Sequence, residues 1–322
     1  MMKKVLIMVP CDQTIKDKLE VKFGQDYEFC FAYGDEMTIE ENLPHAEIII
    51  GEPNEEQILK ARCAKWIQLT WAGVDKYSKM ANVPSGLCIT NASGAFGNII
   101  AEYIVGNIIS VYRGFPQYWE SKKAGRWEPG NSNSTIFGKE VLILGTGDIG
   151  TCTAKRLKAF DARITGIRRN VGEGALDCFD EVCGLDKLEK LLPNVDIIVG
   201  CLPNTMDTQG VLDYQRIKSM KQDAVIINVG RGTLINTEDL VKALAEGHLK
   251  GVALDVFEKE PLDDNSPLWA MENVIITPHI AGPSFGGNKD VENAIWKICI
   301  DNLGLYLDRK RLKNVVNLKQ GY

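Results

Sequence analysis

The sequence lacks several features that mark specialised classes of protein. Its nine cysteines are odd in number, include no Cys-x-x-Cys pair and suggest neither a disulfide framework nor a metal site. No uninterrupted apolar run approaches the roughly 18 residues that span a bilayer. Basic residues (37) are outnumbered by acidic ones (43), a net charge of −6 that argues against nucleic-acid binding. We therefore expect a cytoplasmic protein with no metal, membrane or nucleic-acid partner.

What remains is an ordinary globular composition arranged as alternating strands and helices. At 322 residues, with 45% hydrophobic and 25% charged, the chain suits about two domains. Short apolar runs bounded by turn residues predict two series of strands. The first lies at 5–9, 27–33, 47–50, 66–69 and 87–90, and the second at 141–144, 163–167, 196–200, 224–228, 251–254 and 274–276. Such runs, separated by helices, indicate parallel sheets covered on both faces and an α/β fold.

Two longer segments interrupt this alternation of strands and helices. Apolar residues at helical spacing predict one long helix over 97–123, kinked or interrupted at Pro116. The polar, turn-rich segment 125–134 that follows suits a linker or an arm. We expect the final helix, 288–307, to return to the first domain and make that domain discontinuous.

A glycine-rich motif follows the first strand of the second series. Gly145-Thr146-Gly147-Asp148-Ile149-Gly150 lies between that strand and a helix predicted over 151–160. The three glycines permit a tight turn, close approach of a pyrophosphate and close packing of helix on strand. The helix N-terminus offers unpaired N–H groups to the phosphates. Because strand, motif, helix and next strand occur in order, the sequence predicts a dinucleotide-binding domain.

The end of the next strand indicates which dinucleotide is preferred. An NAD-binding fold places an acidic residue about 20 residues past the glycine motif, on the ribose 2′-hydroxyl. Here the chain has Arg168 and Arg169. Guanidinium groups bind a 2′-phosphate, whereas a carboxylate would repel it. The sequence therefore favours NADP(H), with NAD(H) possible if these arginines are only surface charges.

Few residues qualify for acid–base chemistry, because the chain has only three histidines. His45 and His248 have ordinary surface interpretations. His279 comes just past a predicted strand end, as do Arg231 and, after a short loop, Glu260. In open α/β sheets this edge binds ligands. We expect these three ionisable groups to form one site.

These residues resemble the D-isomer-specific 2-hydroxyacid dehydrogenase family over essentially the whole chain. The matching stretches are 70–75, 101–102, the glycine motif, 202–205, 220–232, 255–261 and 277–282. The resemblance implies two doubly wound parallel-sheet domains. One is a smaller flavodoxin-like substrate domain, 1–98 plus 284–322, and the other is a Rossmann NAD(P)-binding domain, 99–283. It also implies a homodimer built by the long helix and the arm.

The resemblance also assigns roles to residues. His279 is the proton donor, Glu260 its carboxylate partner and Arg231 the substrate anchor; a substrate carboxylate sits on the N–H groups of Ala72 and Gly73, facing the cofactor across a cleft. The implied cofactor-binding residues are Gly145, Gly147, Asp148, Ile149, Gly150, Arg168, Arg169, Leu202, Pro203, Thr208, Val229, Gly230 and, near the nicotinamide, Asp255. Imidazolium donates a proton near neutral pH, and a carboxylate beside it favours that charged form.

The expected function is thus an NADPH-preferring reductase that turns a small 2-oxo acid, of the glyoxylate or hydroxypyruvate type, into a D-2-hydroxy acid. The alternatives are an NADH-dependent enzyme for a bulkier or phosphorylated acid, and a dinucleotide-sensing scaffold like the C-terminal-binding corepressors. By analogy Glu52 faces the cleft, which weakly disfavours a phosphorylated substrate. Trp71 either shapes the pocket or packs in the core. Glu260 argues against the formate dehydrogenase branch, whose chemistry needs no charged histidine.

Overall fold

Two parallel sheets organise the chain, one in each of two units. The computed structural model describes residues 2–130, 133–172 and 177–321, so Asn131 and Ser132 of the predicted arm lie outside the described residues. The first unit comprises Met1–Ala95 and Pro283–Tyr322, and the second comprises Phe96–Gly282. The fold class predicted from the sequence is confirmed.

The elements follow one another in the expected alternation. The strands are β1 (Lys3–Ile7), β2 (Tyr27–Phe31), β3 (Ile48–Ile50), β4 (Trp66–Gln68), β5 (Cys88–Thr90), β6 (Glu140–Leu144), β7 (Arg163–Ile167), β8 (Glu181–Cys183), β9 (Ile197–Gly200), β10 (Ala224–Asn228), β11 (Leu249–Leu254) and β12 (Val274–Ile276). The helices are α1 (Gln13–Phe23), α2 (Glu36–Asn42), α3 (Glu55–Lys60), α4 (Asp75–Ser78), α5 (Gly97–Arg113), α6 (Phe115–Lys123), α7 (Asp148–Lys158), α8 (Leu188–Leu191), α9 (Tyr214–Ser219), α10 (Thr237–Ala245) and α11 (Lys289–Leu307).

The sheet of the first unit has the order β2-β1-β3-β4-β5, all parallel, which is the flavodoxin-like order. Its central strand β3 is a continuous apolar run with all three residues buried, as expected for a parallel strand that is covered on both faces. Helix α11 belongs to this unit. Its buried Asn302 donates to Gln68 Oε1 at 2.8 Å and accepts from Lys313 N at 2.8 Å, which fixes the helix on the sheet.

The sheet of the second unit has the order β12-β11-β10-β9-β6-β7-β8, again all parallel. The chain winds outward from β6 to β8, then crosses back to β9 on the other side of β6. This reversal is the topological switch point of a Rossmann sheet, and a crevice for ligands opens there at the carboxyl ends of the strands. The glycine motif directly follows β6.

Three expectations about local structure need correction. The interruption expected at Pro116 within the helix 97–123 falls instead at Gly114, which adopts φ +65° and ends α5; Pro116 lies in the first turn of α6, where its ring is tolerated. Strand β8 was not predicted, since only Cys183 of its three residues is buried. The surface interpretation of His248 is wrong. It is buried, with its ring nitrogens 3.2 Å from Gln222 Oε1 and 3.1 Å from Ile217 O.

Candidate active site

The glycine loop after β6 has the shape that a dinucleotide phosphate requires. Gly145 adopts φ +110°, and a Cβ there would lie 2.9 Å from Cys201 O. A Cβ at Gly150 would overlap the carbonyl oxygen of Gly145, whereas one at Gly147 would meet nothing within 4 Å. The first and third glycines are therefore required by the packing of the protein itself. The second leaves backbone exposed at the N-terminus of α7, where N–H groups and the helix dipole favour an anion.

The side chain of Asp148 has a structural role. Its Oδ2 accepts a hydrogen bond of 2.8 Å from the N–H of Gly97, the first residue of α5. Helix α5 has no side-chain cap from its own N-cap residue, so Asp148 supplies that acceptor. At the first turn of α7, Asp148 and Ile149 present their backbone groups.

Arg168 and Arg169 lie beside this loop, at the end of β7. The carbonyl of Ile167 accepts from the N–H of Gly145 at 3.0 Å, and the next residue, Arg168, donates its own N–H to Cys183 O at 3.0 Å. Arg168 is half-buried, while Arg169 is exposed and lies 4.0 Å from the exposed carboxylate of Asp207. Both guanidinium groups thus start from the strand end adjacent to the glycine loop.

The loops after β9 and β10 pack against each other at the same edge. Thr208 Oγ1 donates to Pro203 O at 2.6 Å and accepts from Thr205 N at 2.8 Å, which closes the loop after β9. A Cβ at Gly230 would lie 2.7 Å from Leu202 O, so only glycine permits this approach. Val229 continues the ladder by donating to Gly200 O at 3.1 Å.

Arg231 lies on the loop after β10 and is half-buried. Its Nη1 donates to Gly230 O at 2.7 Å, and its carbonyl accepts from Asn228 Nδ2 at 3.0 Å. A Cβ at Gly232 would overlap the backbone of Phe257. The loop that carries Arg231 therefore touches the loop that leads from β11 to Glu260.

His279 and Glu260, expected as partners, are in direct contact. Nδ1 of His279 lies 2.9 Å from Oε2 of Glu260, and Oε1 of Glu260 accepts from Phe257 N at 3.0 Å. Both side chains are partly exposed. His279 has φ +55°, an unusual conformation for a residue other than glycine. The pair thus holds the imidazole by Nδ1 and leaves Nε2 as its other polar atom.

The unusual backbone at His279 is held by Asp255, the residue after β11. Its buried carboxylate accepts from Thr277 Oγ1 at 2.6 Å, Ile280 N at 2.8 Å and Ala281 N at 3.0 Å. Its carbonyl accepts from the N–H of His279 at 2.9 Å. The resemblance implied a place near the nicotinamide for Asp255, and its observed contacts are with the loop that carries His279.

Sequence reasoning missed one member of this network, Tyr103 on α5. Its hydroxyl lies 2.7 Å from Thr277 Oγ1. Since Thr277 gives its only hydroxyl proton to Asp255, Tyr103 is the donor to Thr277. Burial raises the pKa of Tyr103 to about 12, which keeps the phenol protonated for that role. In the sequence, Tyr103 is part of an apolar helical pattern, and nothing there distinguishes it from a core residue.

In the first unit, the loop after β4 presents the backbone expected to bind a substrate carboxylate. Ala72 and Gly73 are half-buried, and their N–H groups bind no acceptor within the described ranges of the chain. The carbonyl of Ala72 accepts from Asn91 Nδ2 at 2.7 Å. The core interpretation of Trp71 is wrong, because its side chain is half exposed and donates to Ser284 Oγ at 3.2 Å.

Glu52, expected by analogy to face the cleft, binds this same loop. Its Oε1 accepts from Thr70 N at 2.7 Å and from Thr70 Oγ1 at 2.8 Å. Burial raises the pKa of Glu52 in spite of these hydrogen bonds. The carboxylate therefore serves to hold the backbone that leads into Trp71 and Ala72.

The described part of the chain contains neither a cluster of metal-ion ligands nor a helix that could span a membrane. No group of three or more His, Cys, Asp or Glu side chains there is arranged to hold a metal ion. None of the helices there is both long enough and apolar enough to cross a membrane.

Comparison with known proteins identifies the family. Residues 105–281 match the family described as D-isomer specific 2-hydroxyacid dehydrogenase, NAD binding domain. A glyoxylate/hydroxypyruvate reductase of Arabidopsis thaliana is 32% identical over 252 residues, covering 77% of this chain and 75% of that protein. A D-3-phosphoglycerate dehydrogenase of Methanocaldococcus jannaschii is 32% identical over 262 residues, covering 81% of this chain and 49% of that protein.

A solved structure matches along the entire length. It is a D-isomer specific 2-hydroxyacid dehydrogenase from Xanthobacter autotrophicus in complex with NADPH and MES, with a TM-score of 0.82, 26% identity and full coverage of both chains. The resemblance inferred from the sequence is thereby confirmed. The chain belongs to the D-isomer specific 2-hydroxyacid dehydrogenases, a family of NAD(P)-dependent oxidoreductases.

Proposed function

We propose that this protein is an NADPH-preferring reductase that converts a small 2-oxo acid, of the glyoxylate or hydroxypyruvate type, into a D-2-hydroxy acid in the cytoplasm. The observation that carries the proposal is the contact of His279 Nδ1 with Glu260, beside the loop of Arg231 and in the same unit as the glycine loop. Nine free cysteines suit a reducing compartment. The reductase activity named for the Arabidopsis relative agrees with the proposed activity.

The side chains then have separate tasks. Glu260 holds the imidazole of His279 by Nδ1, and Nε2–H gives a proton to the substrate carbonyl oxygen as negative charge develops there. Arg231 binds the substrate carboxylate and polarises the carbonyl. A bound nicotinamide cofactor would supply the hydride. In the other unit, the N–H groups of Ala72 and Gly73 are the proposed carboxylate ligands.

The proposed preference for NADPH rests on the charge beside the glycine loop. Arg168 and Arg169 start from the end of β7, where an acidic residue would serve the ribose of NAD. Two guanidinium groups there attract a 2′-phosphate by charge-assisted hydrogen bonds. The NADPH bound to the Xanthobacter relative agrees with this assignment. The remaining proposed contacts, from Leu202, Pro203, Thr208, Val229 and Gly230, come from loops at the same sheet edge. Asp255 is proposed to act near the nicotinamide through the loop of His279, which its carboxylate holds.

The phosphoglycerate dehydrogenase relative favours a second candidate, an NAD(H)-dependent enzyme for a phosphorylated acid. This chain spans about half the length of that relative. The two candidates differ in both cofactor and substrate, so one assay separates them.

The test is a set of initial rates with NADPH and NADH in parallel. The acids are glyoxylate, hydroxypyruvate, pyruvate, 2-oxoisocaproate and phenylpyruvate, with oxidation of 3-phosphoglycerate measured in reverse. We expect the highest kcat/KM with NADPH and glyoxylate or hydroxypyruvate. Preference for NADH, or for a bulky or phosphorylated acid, overturns the proposal. Tight cofactor binding without turnover of any acid would favour a dinucleotide-sensing scaffold instead.

We also propose that the protein forms a homodimer through α6 and the arm that follows it. Helix α6 has no buried residue, yet it carries Trp119, which is 54% exposed, and the nearby Trp127 is fully exposed. Clustered exposed aromatic side chains are typical of protein interfaces. Light scattering should show a dimer that Trp119→Ser with Trp127→Ser converts to monomer. Trp269→Ser, at an exposed tryptophan outside this region, is the control. A wild-type monomer contradicts the proposal.

A further inference from the structure

The amino ends of the strands in the first unit frame a basic cavity of about 580 Å³. Lys3 begins β1, and Lys65 directly precedes β4. The segment after α11 adds Arg309, Lys310 and Arg311 to the wall of this cavity. Its volume lies within the range of small-molecule sites, roughly 300–1,000 Å³.

Positive charge in the basic cavity exceeds the acidic charge that balances it. Glu47, the one acidic residue in its wall, lies 3.4 Å from Lys65 and 4.0 Å from Lys3. Lys310 pairs with Asp308 at 2.8 Å. Arg309 and Arg311 form no ion pair with a carboxylate among the described residues. Two uncompensated guanidinium groups therefore face solvent together on a chain whose net charge is −6.

The conformation of Arg309 is a second observation. It lies one residue past the C-cap of α11 with φ +55°, and the N–H groups of Arg309 and Lys310 donate back to Tyr306 O and Leu305 O. Glycine is the usual residue at this position of a helix end, because other residues are strained there. Residues held in such conformations cluster at binding and catalytic sites.

The helix end alone does not explain the basic cluster. Cations after a helix C-terminus are stabilised by the helix dipole, which accounts for Arg309 to Arg311. It does not account for Lys3 and Lys65, which come from the amino ends of two strands. Tyr306 links these groups, since its hydroxyl donates to Glu47 at 2.8 Å and its ring lies 4.9 Å from Lys3 Nζ.

We propose that the basic cavity binds a small anion with more than one negative charge, either a phosphate compound or a polycarboxylate. Arg309 and Arg311 would make the charge-assisted hydrogen bonds, and Lys65 and Lys3 would add to the attraction. The site is separate from the proposed carboxylate loop. Lys65 precedes β4 and Ala72 follows it, so the two lie at opposite edges of the same sheet. Such a position suits an effector rather than a substrate.

The test is calorimetric titration of the full chain with inorganic pyrophosphate and, separately, with citrate. NADPH is present at saturation, so that the glycine loop does not compete for pyrophosphate. We expect one site per chain for at least one probe, and binding at least about tenfold weaker in Arg309→Gln with Arg311→Gln. The control is Lys18→Gln with Lys190→Gln, which removes the same charge at exposed positions outside the cavity and should bind as the wild type does.

The two probes also identify the class of ligand. Pyrophosphate binding alone assigns a phosphate compound, and citrate binding alone assigns a polycarboxylate. If the double variant proves unstable in thermal unfolding, Lys65→Gln serves as an independent variant, and it should also weaken binding of the probe. The proposal is overturned if neither probe saturates a single site at millimolar concentration, or if the cavity variants bind as tightly as the control. Neither result bears on reductase activity, which is measured separately.

Discussion

Each unit uses a carboxylate at a strand end to hold the loop after the neighbouring strand. In the second unit Asp255, after β11, binds the loop after β12 through three donors. In the first unit Glu52, after β3, binds Thr70 after β4 through two. Because parallel strands bring their carboxyl ends to one edge, a carboxylate on one strand reaches the loop of the next. Such groups shape a site by holding the loops that form it.

The two carboxylates differ in what they hold. Asp255 is buried and bound by an O–H and two N–H groups, and the loop it orders carries His279, the proposed proton donor. Glu52 is half-buried, burial raises its pKa, and the loop it orders offers only backbone groups. Loss of Asp255 should therefore damage catalysis and stability together, whereas loss of charge at Glu52 should be mild.

The largest effect is expected at the group that Asp255 positions. His279→Gln removes the proposed proton donor but keeps the size and polarity of the side chain, so kcat should fall by roughly 10²-fold or more, while NADPH binding is retained. Stopped-flow or steady-state rates measure the loss, and fluorescence titration measures cofactor binding. His45→Gln, at an exposed histidine of the first unit, should leave both unchanged. Near-normal turnover in His279→Gln would remove this histidine from the mechanism.

The next effect is expected at Asp255 itself. Asp255→Asn places an amide where N–H donors converge, leaving at least one buried donor unsatisfied, at a cost of about 2–4 kcal/mol in the free energy of unfolding. A loosened His279 should lower kcat by about tenfold through misplacement. Denaturant unfolding and kinetics give the two values.

The pattern of kinetic constants decides what Asp255 does. As a positioning residue Asp255 should affect kcat, because the contact of His279 with Glu260 is no longer held in place. The KM for NADPH should not change. A raised KM for NADPH with normal kcat would instead make Asp255 a cofactor contact.

A smaller effect is expected at the two arginines that are proposed to bind the 2′-phosphate. Arg168→Gln with Arg169→Gln should raise the KM for NADPH by about tenfold, equivalent to about 1.4 kcal/mol, and leave the KM for NADH unchanged. Arg163→Gln, at the other end of β7, is the matched control. Equal changes in the KM for both cofactors would show that these arginines do not recognise the 2′-phosphate.

The same comparison explains what could be predicted from the sequence. Strands 163–167, 224–228 and 274–276 were predicted with their observed bounds, because strands of a covered parallel sheet are mainly apolar runs between turn residues. Residues at strand ends were placed at the ligand edge for the same reason. Gly114 was overlooked as a helix end, because a lone glycine within an apolar period gives little signal.

What could not be predicted is the direction of each side chain at that edge. Asp255, Glu52 and Asp148 all follow or begin elements that border the expected site, and each turns its carboxylate to protein N–H groups. Their partners lie between 18 and 51 residues away in the chain. Such contacts depend on how loops from different strands meet, which local pattern does not encode.

The smallest effect is expected at Glu52. It is also the effect that best distinguishes the role of this carboxylate from that of Asp255. Because the pKa of Glu52 in the folded protein is raised, the neutral form favours folding, and this contribution is present below the pKa of the unfolded chain and lost as pH rises through the folded value. Glu52→Gln keeps a carbonyl acceptor for Thr70 and cannot ionise. As the pH is raised from mildly acidic to neutral, the Tm of this variant should therefore rise by a few degrees relative to the Tm of the wild type. Thermal unfolding across that range measures the gain, with Glu128→Gln, at an exposed carboxylate, as the pH-independent control. A variant that loses stability relative to the wild type as pH rises would mean that the ionised carboxylate is what holds Thr70, and Glu52 would then act as Asp255 does.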